Sequence, residues 1–467
     1  MKRIVLLAAI ALGGCASTSP ADGFRDVAQK VEQQSGHRVM WDQGGDDDAK
    51  VKDAIRKLLA SEMSVDAAVQ VALLNNPALI ATYEELSIAQ ADVVQAGLLK
   101  NPVFGVGRTA WDMEHISPNL FLTVEQDLLD LLMLPARKKV AKAQLEQAKL
   151  RLLGEILELA GHTRTAYFTL QAAQQTAAMQ LEIVDAGEAA MDLATRQYEA
   201  GNLYEFDLAN ERANLSQFQL ALARSRVMAT QARADLAKLL GIWGPAMAFR
   251  VPEHLPELPE HEAPLEQLES LAIAQRAELA AATQQHRTLH YAVNLAKTSR
   301  WFGVLSVGAE VGRLRTGNGN ISVGPSATIE LPLFDQRQAV IARLEAMERA
   351  AAATERGVAI DIRADVNAVR ARLVLDRRTV ELYRDTLLPT RRNLTRLAKV
   401  QYDAMLLSVY QLLQIRQQEV AAMAEYLQAL RDYWTARSDL ERAVGGRLSP
   451  AKPTPTRGSD PHQNHEP

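Results

Sequence analysis

The chain has 467 residues, of which 48% are hydrophobic, 23% are charged and only 5% are aromatic, and its formal net charge is -4. This composition excludes disorder throughout the chain, and the small, interspersed charge is unlike that of a nucleic-acid-binding protein, so no nucleic-acid partner is expected. Scarce aromatic residues, together with abundant Ala, Leu, Gln, Glu and Arg, favour long and thinly packed helices.

The amino terminus has the features of a secretory signal. Basic residues 2–3 precede an apolar run from Ile4 to Leu12, which is too short to span a bilayer. Cys15 is the only cysteine in the chain, and its position after two glycines resembles a bacterial lipobox, in which the cysteine is acylated after cleavage. The sequence therefore predicts a signal peptide over residues 1–14 and an acylated N-terminal segment over 15–60. A signal peptide with an incidental cysteine is the alternative.

Helical periodicity begins only after this segment. Residues 17–50 show no clear period and are interpreted as irregular, with a turn and a possible helix start at 44–48. From Ser64 to Leu99 a helical pattern is interrupted at Asn75-Asn76-Pro77, because proline begins a new helix and restricts the residue before it. Two helices that meet at this proline are therefore expected.

Two pairs of short strands are predicted. Between about residues 102 and 127 the helical period is lost, and prolines and glycines divide the segment into two strands joined by a loop. Between about residues 302 and 332 the pattern is clearer, because apolar residues alternate with small or polar ones on both sides of a turn at 316–320. This second pair is expected to form a hairpin with one apolar face.

A very long helix is predicted after each strand pair, from about Pro135 to Tyr198 and from about Gln336 to Tyr402. At about 1.5 Å per residue, some sixty residues would reach on the order of 90 Å, which is too long for an ordinary core helix. Pro389 should kink or interrupt the second helix. In the first long helix, apolar residues recur every seven positions, as a coiled-coil seam requires. They are Leu145, Leu152, Leu159, Ala166 and Ala173, with Ile156, Leu170 and Ala177 on the neighbouring stripe.

The chain is internally duplicated. Residues 197–241 and 401–445 align without a gap, and identical residues recur at matching positions. The period is too long for a solenoid unit, so it marks two copies of a whole substructure. The predicted boundaries are a first repeat over 61–241 with a helical hairpin tip near 201, a linker over 242–264, a second repeat over 265–445 with a tip near 405, and a disordered tail over 446–467.

Four strands per chain indicate an assembly of several chains. A membrane sheet must close on itself, and known barrels need about eight strands or more, so one chain cannot close such a barrel alone. Three chains would supply twelve strands. The predicted fold class is therefore α+β and mostly α, with an internal two-fold repeat.

These residues resemble the TolC-like outer-membrane efflux proteins over nearly all of the mature length. The resemblance rests on the lipobox, on Asn75-Asn76-Pro77 with Gln90 to Gly97, on Ile329 to Asp335, and on the paired tips that begin with Tyr-x-Ala. It implies a homotrimer in which a long coiled-coil α-helical barrel continues from a twelve-stranded transmembrane β-barrel. It also implies a passive exit duct in the cell outer membrane, in contact with outer-membrane lipid, which docks to a periplasmic adaptor protein and an inner-membrane transporter. The cargo would be small molecules or metal ions.

The resemblance also gives roles to the two tips, as a channel entrance and as an adaptor-docking surface. The entrance positions are Asp207, Glu205, Gln411 and Gln414, and the docking positions are Gly201, Leu203, Met405 and Leu407. The second tip departs from the family pattern, because amides stand where some members carry aspartates. The alternatives are an ordinary exposed aspartate at a helix start and ordinary turn and core positions.

No cofactor, metal site or catalytic motif is expected. His286 and His290 are one helical turn apart, but no third metal ligand is near them, so surface histidines are the favoured interpretation. The sequence has no phosphate loop, dinucleotide fingerprint or serine elbow, which leaves an enzyme as the third hypothesis. The second hypothesis for the function is a periplasmic coiled-coil adaptor or tether lipoprotein without a pore. Two alternating strand pairs, each followed by a long helix, argue against it.

Overall fold

The computed structural model describes residues 21–41, 46–109, 119–262, 264–301, 303–313 and 321–448. Cys15, the turn at 316–320 and most of the tail lie outside the described residues. The chain divides into two compact units. The first unit is Met1–Lys30, Ala81–Gly154 and Ala277–Ile360, and the second is Val31–Ile80, Glu155–Arg276 and Asp361–Pro467.

In both copies shorter helices, a strand pair, a long helical stretch and a returning helix follow in the same order, and the predicted class, mostly helical with two strand pairs, is confirmed. Two helices, α1 (Ala21–Ser35) and α2 (Asp46–Ala60), precede the first copy. The first copy contains α3 (Val65–Asn75), α4 (Pro77–Ala96), β1 (Val103–Thr109), β2 (Asn119–Asp127), α5 (Leu128–Glu199) and α6 (Glu205–Leu240). A short 3-10 helix, Gly244–Ala248, follows. The second copy contains α7 (Leu268–Gln275), α8 (Ala277–Ser299), β3 (Leu305–Arg313), β4 (Ile321–Ile329), α9 (Gln338–Leu382), α10 (Leu388–Asp403) and α11 (Val409–Val444).

The interpretation of residues 17–50 as irregular is wrong for 21–35, where α1 lies, whereas α2 begins at Asp46, within the stretch suggested as a possible helix start. In α1, Val27 and Val31 are one turn apart, and their side chains are fully buried. The ring of Phe24 meets that of Tyr83 edge-on, with the centroids 5.1 Å apart. One narrow apolar stripe is enough to seat a short helix on a larger surface, even though the polar majority of its sequence hides the helical period.

The first long helix begins earlier than predicted. It starts at Leu128, directly after β2, so Pro135 lies inside it. Proline removes one helical hydrogen bond, which the early turns of a helix tolerate better than its middle. Leu145, Leu152 and Leu170 of the predicted seam are buried. Within the described residues, no helix combines the length and apolar character needed to cross a bilayer.

Pro389 interrupts the second long helix, as predicted. Tyr383–Leu387 forms a π-helical turn between α9 and α10. Proline cannot donate a backbone hydrogen bond, and its ring clashes with the carbonyl group four residues earlier. A wider turn just before Pro389 relieves this clash without ending the helix.

Asn75 and Asn76 join the start of α4 to the end of α6. The side chain of Asn76 accepts hydrogen bonds from the backbone N–H groups of Ala78 and Leu79, which caps α4. Its Nδ2 donates to the carbonyl oxygen of Leu239 at 2.8 Å, and Nδ2 of Asn75 donates to those of Leu240 and Gly241. The two amides therefore satisfy carbonyl groups that a helix end leaves unpaired.

The four strands form one antiparallel sheet in the order β1-β2-β3-β4, so β1 and β4 are its edges. Each strand pairs with the next along its length. Pro325 lies within β4, opposite Ala309. A proline is tolerated in an edge strand because one side of that strand has no partner to which an N–H group would donate.

The segment between the copies lies against the helices of the second unit. Arg377 donates to Glu262, with Nη1 to Oε1 at 3.1 Å, and to the carbonyl oxygens of Pro259 and Glu260. The hydroxyl group of the buried Tyr433 also donates to Glu262. Burial and this acceptor raise the pKa of Tyr433, so the hydroxyl group stays protonated. The segment is an extended strap that side chains hold in place.

His37 is buried, with 5% exposure, near the carboxyl end of the described chain. Its Nε2 lies 3.2 Å from Nη2 of Arg447, so the neutral imidazole is the form that can accept this hydrogen bond. Burial, and then the charge of Arg447, lower the pKa of His37 to about 4. The folded protein therefore excludes the proton from this ring.

A pH dependence of stability follows from this shift. The unfolded chain takes up a proton on His37 near pH 6.5 and the folded chain only near pH 4. The neutral His37 ring makes its full contribution to the free energy of unfolding above pH 6.5. As the pH falls from 6.5 to 4, this free energy decreases by roughly 3 kcal/mol. We expect urea unfolding of the His37→Gln protein to depend less on pH across this window. Equal slopes for the two proteins would show that another group causes the dependence.

Candidate functional site

One face of the sheet is apolar and exposed. Two neighbouring rows of apolar residues cross all four strands: Phe104, Val124, Ala309 and Pro325, and then Val106, Leu122, Val311 and Val323. Phe104 and Val106 are each 74% exposed, and Val323 is 70% exposed. A continuous apolar face of this kind indicates contact with lipid or with another apolar partner.

The opposite face of the sheet carries mostly small and polar residues. Gly105, Thr123, Gly308 and Ser326 lie on this face. The ring of Phe121 lies across the neighbouring Gly107, where a Cβ atom would have no room. A Cβ atom at this position would therefore force the ring to move.

A charged cluster fixes the junction between β2 and α5. The buried carboxylate of Asp130 lies 2.8 Å from Nη1 of Arg137 and 3.5 Å from Nζ of Lys100. Lys100 also pairs with Asp127 at 3.2 Å, and Oδ1 of Asp127 accepts a hydrogen bond from the backbone N–H of Asp130. Because these groups sit at the first turn, they set the direction in which α5 leaves the sheet.

The two tips have the same backbone hydrogen bonds. In each, two successive N–H groups donate to carbonyl oxygens three and five residues earlier, which is the Schellman arrangement. The donor and acceptor pairs are Gly201 to Tyr198, Asn202 to Gln197, Met405 to Tyr402 and Leu406 to Gln401. The arrangement needs a left-handed residue, and φ is 74° at Gly201 and 58° at Met405. Met405 therefore holds a conformation that costs about 1–2 kcal/mol for a residue with a Cβ atom.

Large apolar side chains project from both tips. Tyr204 is 82% and Phe206 75% exposed at the first tip, and Met405 is 94% and Leu406 79% exposed at the second. Of the docking positions suggested by the sequence, Gly201 and Met405 are exposed, whereas Leu203 and Leu407 are half-buried. Sequence reasoning missed Tyr204, Phe206 and Leu406. The sequence feature that could have identified them is an aromatic or large aliphatic residue beside a turn, because exposed positions there are usually polar.

The suggested entrance residues lie in the first turns of α6 and α11. Glu205 is exposed and Asp207 is half-buried, and both carboxylates benefit from the positive end of the helix dipole. Gln411 forms a capping box with Ser408, in which Oε1 of the glutamine accepts from the serine N–H at 3.2 Å. Gln414 is exposed. The first tip is thus acidic, and the second is uncharged at these positions.

A cleft of 1490 Å³ lies among α5, α6, α10 and α11 in the second unit. Glu211 lines it and is only 5% exposed, and one carboxylate oxygen has no hydrogen-bond partner. Burial raises the pKa of Glu211. Sequence reasoning missed this residue, although its counterpart at the matching position of the second copy is the apolar Ile415. A charge in one copy where the other has an apolar residue was the available signal.

His286 and His290 each bind a different carboxylate. Nδ1 of His286 lies 2.9 Å from Glu355, and Nδ1 of His290 lies 2.8 Å from Glu348. Glu355 also accepts a hydrogen bond from Thr283, and this bond and then His286 lower the pKa of Glu355. Both pairs join α8 to α9. In the part of the chain that the structure describes, no group of three or more His, Cys, Asp or Glu residues could hold a metal ion.

Comparison with known proteins gives consistent results. A family model described as outer membrane efflux protein matches residues 68–242 and 268–446. A membrane protein from Pseudomonas aeruginosa is similar in structure, with a TM-score of 0.71 and 20% identity over 82% of this chain and 92% of that one. The Campylobacter jejuni CmeC outer membrane channel has a TM-score of 0.71 and 16% identity, over 82% of this chain and 85% of that one.

The open state of the Neisseria gonorrhoeae MtrE outer membrane channel gives a TM-score of 0.66 and 17% identity, over 82% of this chain and 89% of that one. At these identities the likeness is one of fold. No curated protein sequence matches the chain at a significant level.

Proposed function

Because the chain belongs to the outer membrane efflux protein family, we propose that three copies of it form the passive exit duct of a tripartite pump. Energy would come from an inner-membrane transporter, and a periplasmic adaptor protein would join the two. The duct would carry small molecules or metal ions from the periplasmic side to the outside. In this proposal the chain binds no cofactor and catalyses no reaction.

The observation that carries this proposal is the exposed apolar face of the sheet. A large apolar face in water is unfavourable, and lipid removes that cost. The edges β1 and β4 each leave a row of backbone groups unpaired, which hydrocarbon does not tolerate. Pairing β4 of one copy with β1 of the next satisfies both rows. Three copies would close a twelve-stranded transmembrane β-barrel, from which the long helices continue as an α-helical barrel.

The amino terminus supplies a second attachment to the membrane in this proposal. Removal of residues 1–14 would leave Cys15 as the acylated first residue. A lipid chain adds about 0.8 kcal/mol per buried methylene group, which strengthens the hold of an apolar sheet on the bilayer. The mature protein would then be a lipid-anchored trimer that extends into the periplasm.

The tips supply the contacts with the adaptor in this proposal. Tyr204, Phe206, Met405 and Leu406 are more than 70% exposed, and aromatic and methionine side chains are enriched at the centres of protein interfaces. Gly201 and Met405 hold the left-handed position of the turn that presents these residues, and Leu203 and Leu407 are half-buried beside it. The adaptor would provide apolar pockets that cover the tips.

Planar-bilayer conductance of the purified protein tests the proposal, after its trimer mass has been established. Stable conductance steps are expected. A folded trimer that inserts into the bilayer and never conducts, even after the tips are opened by mutation, would favour the tether without a pore.

The same apparatus tests the entrance. Asp207 lies in the first turn of α6, and three-fold symmetry would repeat it in a ring. We expect Asp207→Asn to lower the preference for cations, by about twofold or more, because it removes this ring. Gln414→Glu is the matched opposite change, since it adds an exposed acid at the second tip and should raise the preference. Unchanged selectivity in both variants would place these residues away from the ion path.

A further inference from the structure

The first unit has two outer helices, one at each edge of the sheet. α4 leads into the edge strand β1, and α9 leaves the edge strand β4. Between them, α5 contacts α8, with Nε2 of Gln284 donating to the carbonyl oxygen of Ala143. α8 in turn contacts α9 through its two histidine–glutamate pairs. The helices therefore follow the order of the strands, with α4 and α9 outermost.

The outer face of α4 is acidic. Glu85, Ile88 and Asp92 lie one and two turns apart on one side of the helix, opposite the buried Tyr83 and Leu86. Ile88 is 62% exposed. Neither Glu85 nor Asp92 takes part in an ion pair with another described residue. The face thus presents one large apolar side chain between two unpaired carboxylates.

The outer face of α9 carries basic side chains and a row of small residues. Glu345, Glu348 and Glu355 turn toward α8, where they bind a lysine and two histidines. The other side carries exposed arginines around a row of small residues, which lets another helix approach closely. These are Arg343, Arg349 and Arg356, with Ala346, Ala350, Ala353 and Gly357. The three arginines take part in no ion pair among the described residues.

The internal duplication indicates which helices pack against the outer faces of α4 and α9. α4 and α5 of the first copy correspond to α8 and α9 of the second. Inside the chain, α5 meets α8, and Nζ of Lys139 lies 4.1 Å from the ring centre of Tyr291. The equivalent partner of α9 is therefore an α4, and the α4 of the same chain lies at the other edge of the unit.

We infer that the arginine face of α9 binds the acidic face of α4 of a second copy of this chain. This interface repeats between copies the α5–α8 contact within each copy, and it rests on the trimer of the proposed function. Charge decides its symmetry. Two α9 faces or two α4 faces set like charges together, so isologous dimers are disfavoured, whereas head-to-tail contacts pair opposite charges and can close a ring.

Charge reversal tests this interface. The basic variant carries Glu85→Arg and Asp92→Arg, and the acidic variant carries Arg343→Glu and Arg349→Glu. Each turns attraction into repulsion at every junction of the ring. We expect each to lower the trimer fraction in detergent by about tenfold or more, measured by native mass spectrometry. The chain with all four changes restores opposite charges and should regain the trimer.

Two further measurements separate this result from a loss of folding. The double variant Lys142→Glu with Arg151→Glu makes the same change in charge as the acidic variant, but at exposed sites on the inner helix α5. This variant should leave the trimer intact. Ile88→Cys with Ala346→Cys, in protein whose Cys15 is acylated, should form disulfides between chains on oxidation, which give a ladder that stops at the trimer mass.

The outcomes are distinct. A trimer that persists in both reversed variants, or that gives no disulfide, overturns the interface and leaves the proposed function standing. Failure of the four-fold variant to recover, with a native circular dichroism spectrum, also overturns it. A wild-type protein that is not a trimer overturns the proposed function itself.

Discussion

Replacing Gly241 by alanine is expected to lower the free energy of unfolding by about 3 kcal/mol. Gly241 follows the last residue of α6 and has a φ of 67°, where a residue with a Cβ atom is strained by about 1–2 kcal/mol. The added Cβ would also press against the backbone of Asn75, with its carbonyl carbon and Cδ of Pro77 both at 3.0 Å. Backbone atoms cannot turn aside as a side chain can, and overpacking of this kind costs about 1–3 kcal/mol.

Gly201→Ala is the matched control for this change. Gly201 has a similar φ of 74°, but a Cβ atom there would meet nothing within 4 Å. Only the conformational strain remains, so we expect a loss of about 1 kcal/mol. Denaturant unfolding followed by circular dichroism would measure both. Equal losses would show that the contact with Asn75 relaxes freely and that α3, α4 and α6 are not rigidly joined at this point.

Arg377→Met is expected to lower the free energy of unfolding by about 2–3 kcal/mol and to release the strap between the two copies. The guanidinium group binds Glu262 and the carbonyl oxygens of Pro259 and Glu260, and Nε donates to Glu381 at 2.8 Å. The Glu262 side chain is only 15% exposed and would lose its counter-charge. Breaking a buried pair costs about 3–5 kcal/mol, and the partial exposure of both groups reduces that figure.

The neighbouring arginine provides the comparison. Arg378 is exposed on the same helix and makes no ion pair with the described residues, so Arg378→Met should change stability by less than about 0.5 kcal/mol. Limited proteolysis reports on the strap directly, because a released segment becomes a substrate. Cleavage between residues 253 and 262 should accelerate in the Arg377 variant alone. Identical digestion of both variants would mean that Tyr433 and the backbone contacts hold the strap without the arginine.

Strong local signals made most of the fold predictable. Asn75-Asn76-Pro77 predicted a helix boundary, and Pro389 predicted an interruption. Alternating residues predicted the second strand pair, and prolines and glycines indicated the first. Each depends on the backbone chemistry of one or two residues and needs no tertiary context. The helix α1 escaped prediction because its helical pattern is only one buried stripe, which becomes visible when the surface beneath it is known.

The functional surfaces were less predictable for a related reason. The family resemblance suggested Asp207 and Gln411 as entrance positions, but the sequence could not tell that Gln411 caps its own helix. Nothing in the sequence sets the arginines of α9 apart from other exposed charges, and only the order of the helices identifies this face as an outer one. Exposure and neighbourhood are properties of the fold, so a sequence pattern alone cannot assign them.

The contact between α5 and α8 has a thermodynamic consequence for assembly. Within one polypeptide, two helices meet without the loss of translational freedom that association of separate molecules requires, which is on the order of 4–15 kcal/mol for each encounter. In the proposed trimer, the duplicated chain would therefore form half of the equivalent junctions within single polypeptides, where the protein concentration has no influence. A ring built from single, unduplicated repeats would need twice as many encounters. At the low abundance of a membrane protein, the fused chain would complete its ring where separate halves would stay dissociated.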